Sequence, residues 1–208
     1  MLSDTSPAVD CLDGHTTETY QLADLSDTPR LAERYPALEE RSRIAEQVCS
    51  DDLVRVYLGA VDRQALYGIS TIAFLPTPQE WDDGARWVRC DLAVVQGETS
   101  PFEPVQIDFA LSAAATTDAA DFLTRCYSTV DDETLDVRCT EPHESRDVNM
   151  WMPVSSEPTE LEIVQLCVPS VGEWTALGRT TVESVSGVLH VEDNGSLTLR
   201  CVAVETDV

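Results

Sequence analysis

Two Cys-x3-His units carry the residue types most able to do chemistry in this chain: Cys11 with His15, and Cys139 with His143. Thiolate and imidazole are the usual ligands of zinc, and the same pair can form an activated nucleophile. The remaining cysteines argue against both uses. Zinc signatures set two close-spaced units against each other, whereas Cys49, Cys90, Cys126, Cys167 and Cys201 each stand alone, as disulfide halves do. A C-x-x-C redox pair, a G-x-S-x-G elbow, a P-loop and a G-x-G-x-x-G turn are all missing from the sequence. Adjacent acids (Asp51-Asp52, Asp82-Asp83, Asp131-Asp132) are what chance gives a chain with 38 of them. The run Asp131-Asp132-Glu133 lacks the glycine and spacing of a calcium loop. No catalytic, cofactor-binding or metal-ligating residue is therefore assigned, and no cofactor is expected. His15 and His143 are expected to make structural hydrogen bonds in the turn after each cysteine, and the acids to be mostly on the surface.

The cysteines also mark a repeat. Cys11-Leu-Asp-Gly-His15 is echoed by Cys139-Thr-Glu-Pro-His143, and Cys49 by Cys167, each followed by apolar residues and a glycine. Gly84 precedes Cys90 by six residues, as Gly195 precedes Cys201. A self-similar framework of this kind sets the domain count and the redox class. It predicts two tandem disulfide-stapled modules at 1–97 and 122–208, separated by a linker or strand segment at 98–121 that holds Pro101 and Pro104. Cys126 has no counterpart in the first copy, because the matching position falls before Met1. The expectation is an N-terminally incomplete first module with Cys11 left unpaired.

These residues need elements to position them. Glu18 to Leu22 suits a strand. Pro36-Ala-Leu-Glu-Glu opens an amphipathic helix that carries Leu38, Ile44, Val48, Cys49, Val54 and Leu58 and stops at Gly59. Ile69–Phe74 and Trp87–Val95 read as strands, with one helical turn between them at Thr77–Gly84. Val105–Leu111 alternates like a strand, and Ser112–Thr117 reads as weakly structured and exposed. In the second copy a helical piece spans Leu161–Leu177, and strands at Val182–Val191 and Leu197–Val204 flank the hairpin signal Asn194-Gly195. The class is α+β, with a small antiparallel sheet and one main helix per module.

Composition narrows the function. Of 208 residues, 13 are basic and 38 acidic, a net charge of −25, and every basic residue is arginine. Such a surface repels phosphate backbones and anionic lipid, so neither nucleic acid nor a membrane surface is an expected partner. No stretch reaches the roughly 20 apolar residues that span a bilayer, and the start MLSDTSPAVD is not a signal peptide. Seven cysteines nevertheless point to an oxidising compartment. The two observations reconcile if an upstream signal or membrane anchor precedes the sequence.

The Cys139, Pro142, His143, Glu144 segment, its looser version at Cys11, His15 and Glu18, the helix with Cys49, and above all Phe74-Leu-Pro-Thr-Pro-Gln-Glu-Trp81-Asp-Asp-Gly84-Ala-Arg-Trp-Val-Arg-Cys90 resemble the septum formation family of actinobacterial envelope proteins. The second copy lacks the proline–tryptophan stretch, and the first has Gly14 where proline is expected. The resemblance implies an extracytoplasmic, often membrane-tethered protein linked to cell division; it implies no reaction and no catalytic residue. The expected bridges are Cys49–Cys90, Cys126–Cys139 and Cys167–Cys201, each within its module. The expected role is that of a non-enzymatic envelope protein that binds an envelope or division partner, with Trp151 as its candidate contact residue. An envelope hydrolase using a carboxylate pair, or a ligand-binding lipoprotein module, are the alternatives.

Overall fold

The computed structural model describes residues 7–26, 34–60, 66–95, 103–130, 133–176, 182–191 and 194–205. The chain divides into two compact units, one formed by Met1–Ala60 with Gly68–Thr117, the other by Val61–Tyr67 with Asp118–Val208. The segment read as a linker is thus shared out. Its residues 103–117 belong to the first unit, where backbone pairs His15 with Ile107 and Val95 with Pro104.

In the first unit the elements run β1 (Thr17–Asp24), α1 (Leu38–Val48), α2 (Asp51–Leu58), β2 (Ile69–Phe74), α3 (Pro78–Asp82) and β3 (Trp87–Val94). The sheet is antiparallel with order β1-β3-β2, so the last strand is central. The single helix expected from Pro36 to Leu58 is two. Ser50 takes an extended N-cap conformation and Asp51 and Asp52 occupy the next first turn, where carboxylates favour the helix dipole. That restart breaks the helix although the apolar period runs through it. Gly59 closes α2 at φ 69°, a left-handed conformation that suits glycine. In α3, Thr77 and Glu80 form a capping box with Pro78 in the first turn. This turn buries Trp81 beside Ile44, Val88 and the Cys49–Cys90 pair, with Tyr35 edge-on at 5.8 Å and the Arg86 guanidinium 4.1 Å above the indole.

The second unit adds α4 (Ala120–Leu123), β4 (Arg125–Val130), β5 (Glu133–Arg138), β6 (Ser145–Val154), α5 (Glu160–Ala176), β7 (Val182–Val191) and β8 (Leu197–Glu205). Its sheet has the order β5-β4-β6-β8-β7, antiparallel throughout. Asn149 to Pro153, which the sequence assigns to no element, is part of β6: a register shift between Asp147 and Trp151 and the proline itself spoil the alternation that marks a strand. Under α5 lies a core of Val148, Leu199, Ala203 and the Cys167–Cys201 pair. Gly187 lets the helix come close, since a Cβ there would lie 2.7 Å from Leu199 Cδ1 and 2.9 Å from Ile163 Cγ2.

The fold is α+β, with antiparallel sheets and three disulfides: Cys49–Cys90, Cys126–Cys139 and Cys167–Cys201. The strand–helix–strand–strand path with a central last strand occurs in both units, as β1-α1/α2-β2-β3 and β6-α5-β7-β8.

Candidate functional site

The most concentrated set of ionisable groups in the first unit gathers around one carboxylate. Glu18 pairs with Leu92 in the β1–β3 ladder and is buried. One oxygen accepts a short hydrogen bond from the Tyr57 hydroxyl of α2, and the other accepts from the Leu111 backbone N–H at 2.9 Å. His15 is only 8% exposed, and its Nε2 lies 3.5 Å from Glu18 Oε2. Its Nδ1 is 2.8 Å from the Asp13 carbonyl. A carbonyl only accepts, so Nδ1 carries the proton. His143 repeats this contact, with Nδ1 2.6 Å from the Glu141 carbonyl.

Cys11 is the free cysteine among the described residues and sits against Glu18. Partial burial, then the Glu18 carboxylate, push its thiol above the ordinary range. Reactive cysteines are tuned the other way, by cationic neighbours, so this thiol is held in its less nucleophilic form. Burial, then Glu18, likewise hold the Tyr57 phenol protonated well above its usual range. Cys139, the partner of His143 in the other Cys-x3-His unit, is bonded to Cys126 and offers no thiolate to a metal. The cluster locks α2, the segment through Leu111 and the Cys11–His15 turn onto β1.

Segment Ser112–Thr117 is exposed as expected at Ser112, Ala113, Thr116 and Thr117, yet it is tied in by the same region. Ala113 N–H donates to the Tyr57 carbonyl at 2.8 Å, and Ala114 and Ala115 are buried in a single 3-10 turn, Ala114–Thr116. The acids also have exceptions to their surface placement. Asp91 in β3 accepts from Thr19 Oγ1 at 2.8 Å and meets Arg89 Nε at 3.1 Å. Asp147 in β6 accepts from the Tyr127 hydroxyl at 3.2 Å and faces Arg200 Nη1 at 3.9 Å. With Glu18, these are the buried carboxylates among the described residues.

Trp151 lies in β6 opposite Arg200 of β8. Cys201 points to α5 through its disulfide, so Arg200 and Trp151 occupy the other face of the sheet. The indole is 48% exposed, unlike Trp81, which is packed in the core. Asp131 and Asp132 lie outside the described residues. Spacing alone picked out Cys11 and His15, but missed Glu18 as a hub and Tyr57 and Leu111 as its partners. The one sequence signal was a carboxylate in a strand that must face a helix carrying tyrosine.

The sequence model of the septum formation family matches residues 3–162 of the 208. The chain belongs to the septum formation family. The matched span takes in the Cys11–His15 turn, the Glu18 cluster, the Trp81 turn and the Cys126–Cys139 hairpin. Cys167 and strands β7 and β8 lie beyond it. No curated protein and no solved structure matches this septum formation chain.

Proposed function

We propose that the chain is a non-enzymatic, extracytoplasmic interaction protein of the cell-division septum, built from two copies of one disulfide-stapled module. The observation that carries the non-enzymatic part is how the buried carboxylates are used. Glu18 is taken up by Tyr57 and Leu111, Asp91 by Thr19 and Arg89, and Asp147 by Tyr127 and Arg200. Glu18 accepts on both oxygens, and Asp91 and Asp147 each accept from a hydroxyl beside an arginine, so all three serve as structural anchors, whereas a general acid or nucleophile must present an oxygen to substrate. The septum role follows from membership of the septum formation family. The location is supported by the three bridges, which form and persist chiefly in oxidising surroundings.

The duplicated reading is supported by the shared strand–helix–strand–strand path and by its staple. In each unit a cysteine at the helix joins a cysteine of the central last strand, Cys49 to Cys90 and Cys167 to Cys201. The His15 and His143 turns make the same contact to the carbonyl two residues back. Half-exposed Trp151 is the contact residue we assign, since tryptophan is enriched at interface centres.

The test is a thiol count on protein taken from growing cells with its thiols trapped at once. The expected result is one reactive thiol without reductant and seven after it. Seven reactive thiols without reductant would overturn the extracytoplasmic reading. A fluorescent fusion that shows no enrichment at division sites would overturn the septum role.

A further inference from the structure

The five-stranded sheet ends on one side in an open strand. Among the described residues β7 pairs only with β8, and none of them pairs with the outer row of its N–H and C=O groups. Native proteins usually blunt such edges with charge, proline, a bulge or brevity. The opposite edge follows that rule: β5 is six residues long and carries Glu133, Asp136 and Arg138. By contrast β7 runs for ten residues; its one irregularity is a register shift between Val182 and Ser184 at its start, and the stretch Val185-Ser-Gly-Val-Leu189 beyond it has neither charge nor proline.

A second observation concerns the helix beside it. In α5, Leu161, Val164 and Val168 are 66%, 40% and 49% exposed, and their spacing places them on one flank, while Leu166, 40% exposed, falls on the other. Ile163 and Cys167 face the sheet instead. The helix packs more on β7 than on β8 or β6. Strands β6 and β7 are both antiparallel to β8, hence parallel to each other, and α5 is their crossover. Crossovers of this kind are right-handed. In that hand, the residues that follow the buried row around the helix turn toward the outer side of β7, and these are Leu161, Val164 and Val168. A chain added to the edge would pair its backbone with β7 and slide alternate side chains beneath this flank.

Charge decides the occupant. The chain carries −25, so a second copy would bring like against like. Exposed Glu160 and Glu162 stand in the first turn of α5, with exposed Glu157 just before it. We infer that the β7 edge and the overhanging α5 flank form a docking site for an extended, apolar, cationic segment of another protein, added as a sixth strand. This rests on the interaction-protein reading and adds to it the place and the partner's chemistry.

The experiment uses the oxidised full chain and a synthetic peptide of alternating valine and lysine, read by amide hydrogen exchange and by titration. Exchange at the outward amides of β7 should slow by about tenfold or more when the peptide binds. Val164→Asp with Val168→Asp, both exposed and so tolerated by the fold, should weaken binding by about tenfold through lost apolar contact. N-methylating alternate peptide nitrogens should abolish strand addition, and raising salt should weaken the unmodified peptide. Equal binding of the N-methylated peptide, or of a valine–glutamate peptide, would overturn the proposal. So would β7 protection that grows with protein concentration alone, which would make the occupant a second copy. If the lysine peptide fails to bind while a fluorescent fusion still gathers at septa, the edge proposal falls and the interaction reading stands; if both fail, both fall.

Discussion

Glu18 is the residue on which the first unit's ties converge. It accepts from a tyrosine hydroxyl on α2 and from a backbone amide near residue 111, so the two must move together. Replacing it with glutamine keeps the shape but turns one acceptor oxygen into a donor. With its oxygen kept on Leu111 N–H, its NH2 meets the Tyr57 hydroxyl, which must turn from donor to acceptor, and charge-assisted hydrogen bonds become neutral ones at a cost of about 1 kcal/mol. Glu18→Gln should therefore lower the urea midpoint with the slope unchanged; an unmoved midpoint would mean that Glu18 only fills space. Tyr127 gives a test of the other unit through pH. Burial, then the Asp147 carboxylate, hold its phenol protonated well above the unfolded value of 10.0. A raised folded value means that the stabilisation is whole below pH 10 and is lost as pH climbs toward the folded one. Tyr57, and Cys11 from its own unfolded value of 9.0, act in the same direction. Alkaline melting curves should thus fall from about pH 9 upward, through Cys11, and more steeply above about pH 10, where Tyr127→Phe should make the fall shallower. If the variant and the parent decline in parallel, the phenol is already free to ionise in the folded state.

At the scale of elements, the helix of the second unit depends on one missing side chain. Gly187 pairs with Cys201 in the β7–β8 ladder, directly beside the disulfide to α5. Gly187→Ala would press a methyl group into Leu199 and Ile163, and overpacking of this kind costs about 1–3 kcal/mol. Thermal melting of the oxidised variant should show it; a melt equal to the parent's would mean that α5 can ride outward freely. Local signals made much of this layer legible. The strands at Ile69–Phe74 and Val182–Val191, the stop at Gly59 and the turn around Trp81 follow from turn chemistry and apolar period. The restart at Ser50 was hidden because the apolar period crosses it unbroken. Strand β6 was hidden by a bulge and a proline, and the segment around Ala114 by the absence of any period, since two buried alanines and one backbone bond to α2 hold it. The Glu18 cluster was half legible for the same reason. Cys11 and His15 lie near each other in sequence, while the partners of Glu18 come from 39 and 93 residues away, distances over which only packing decides.

Over the whole molecule, the sign of the charge imbalance sets how the fold answers to salt. Salt acts in two opposing ways. Exposed pairs such as Arg34–Glu40 and Arg43–Glu39 are weakened by screening, but surface pairs are worth roughly 0–1 kcal/mol each. Repulsion among the acids is also weakened, and 38 acids against 13 arginines leave 25 without a counter-charge of their own. Repulsion outweighs attraction here, because even with every arginine paired the surplus outnumbers the pairs. The screening length falls from about 30 Å at 0.01 M to about 3 Å at 1 M, so the surplus is felt across the surface at low salt and only locally at high salt. Sodium chloride should therefore raise the melting temperature steadily between these limits at neutral pH. Mild acid should do the same at low salt, as protonation removes the surplus, until the carboxylates held by Thr77 and Thr159 at the two capping turns begin to protonate. Hydrogen bonds from Thr77 hold Glu80, and those from Thr159 hold Glu162, below the ordinary range, so their contribution is present above the unfolded value of 4.5 and fades only further down. A melting temperature that falls with chloride would reverse the balance: the arginines would then be placed against clusters of acids, and local pairing rather than net charge would govern this surface.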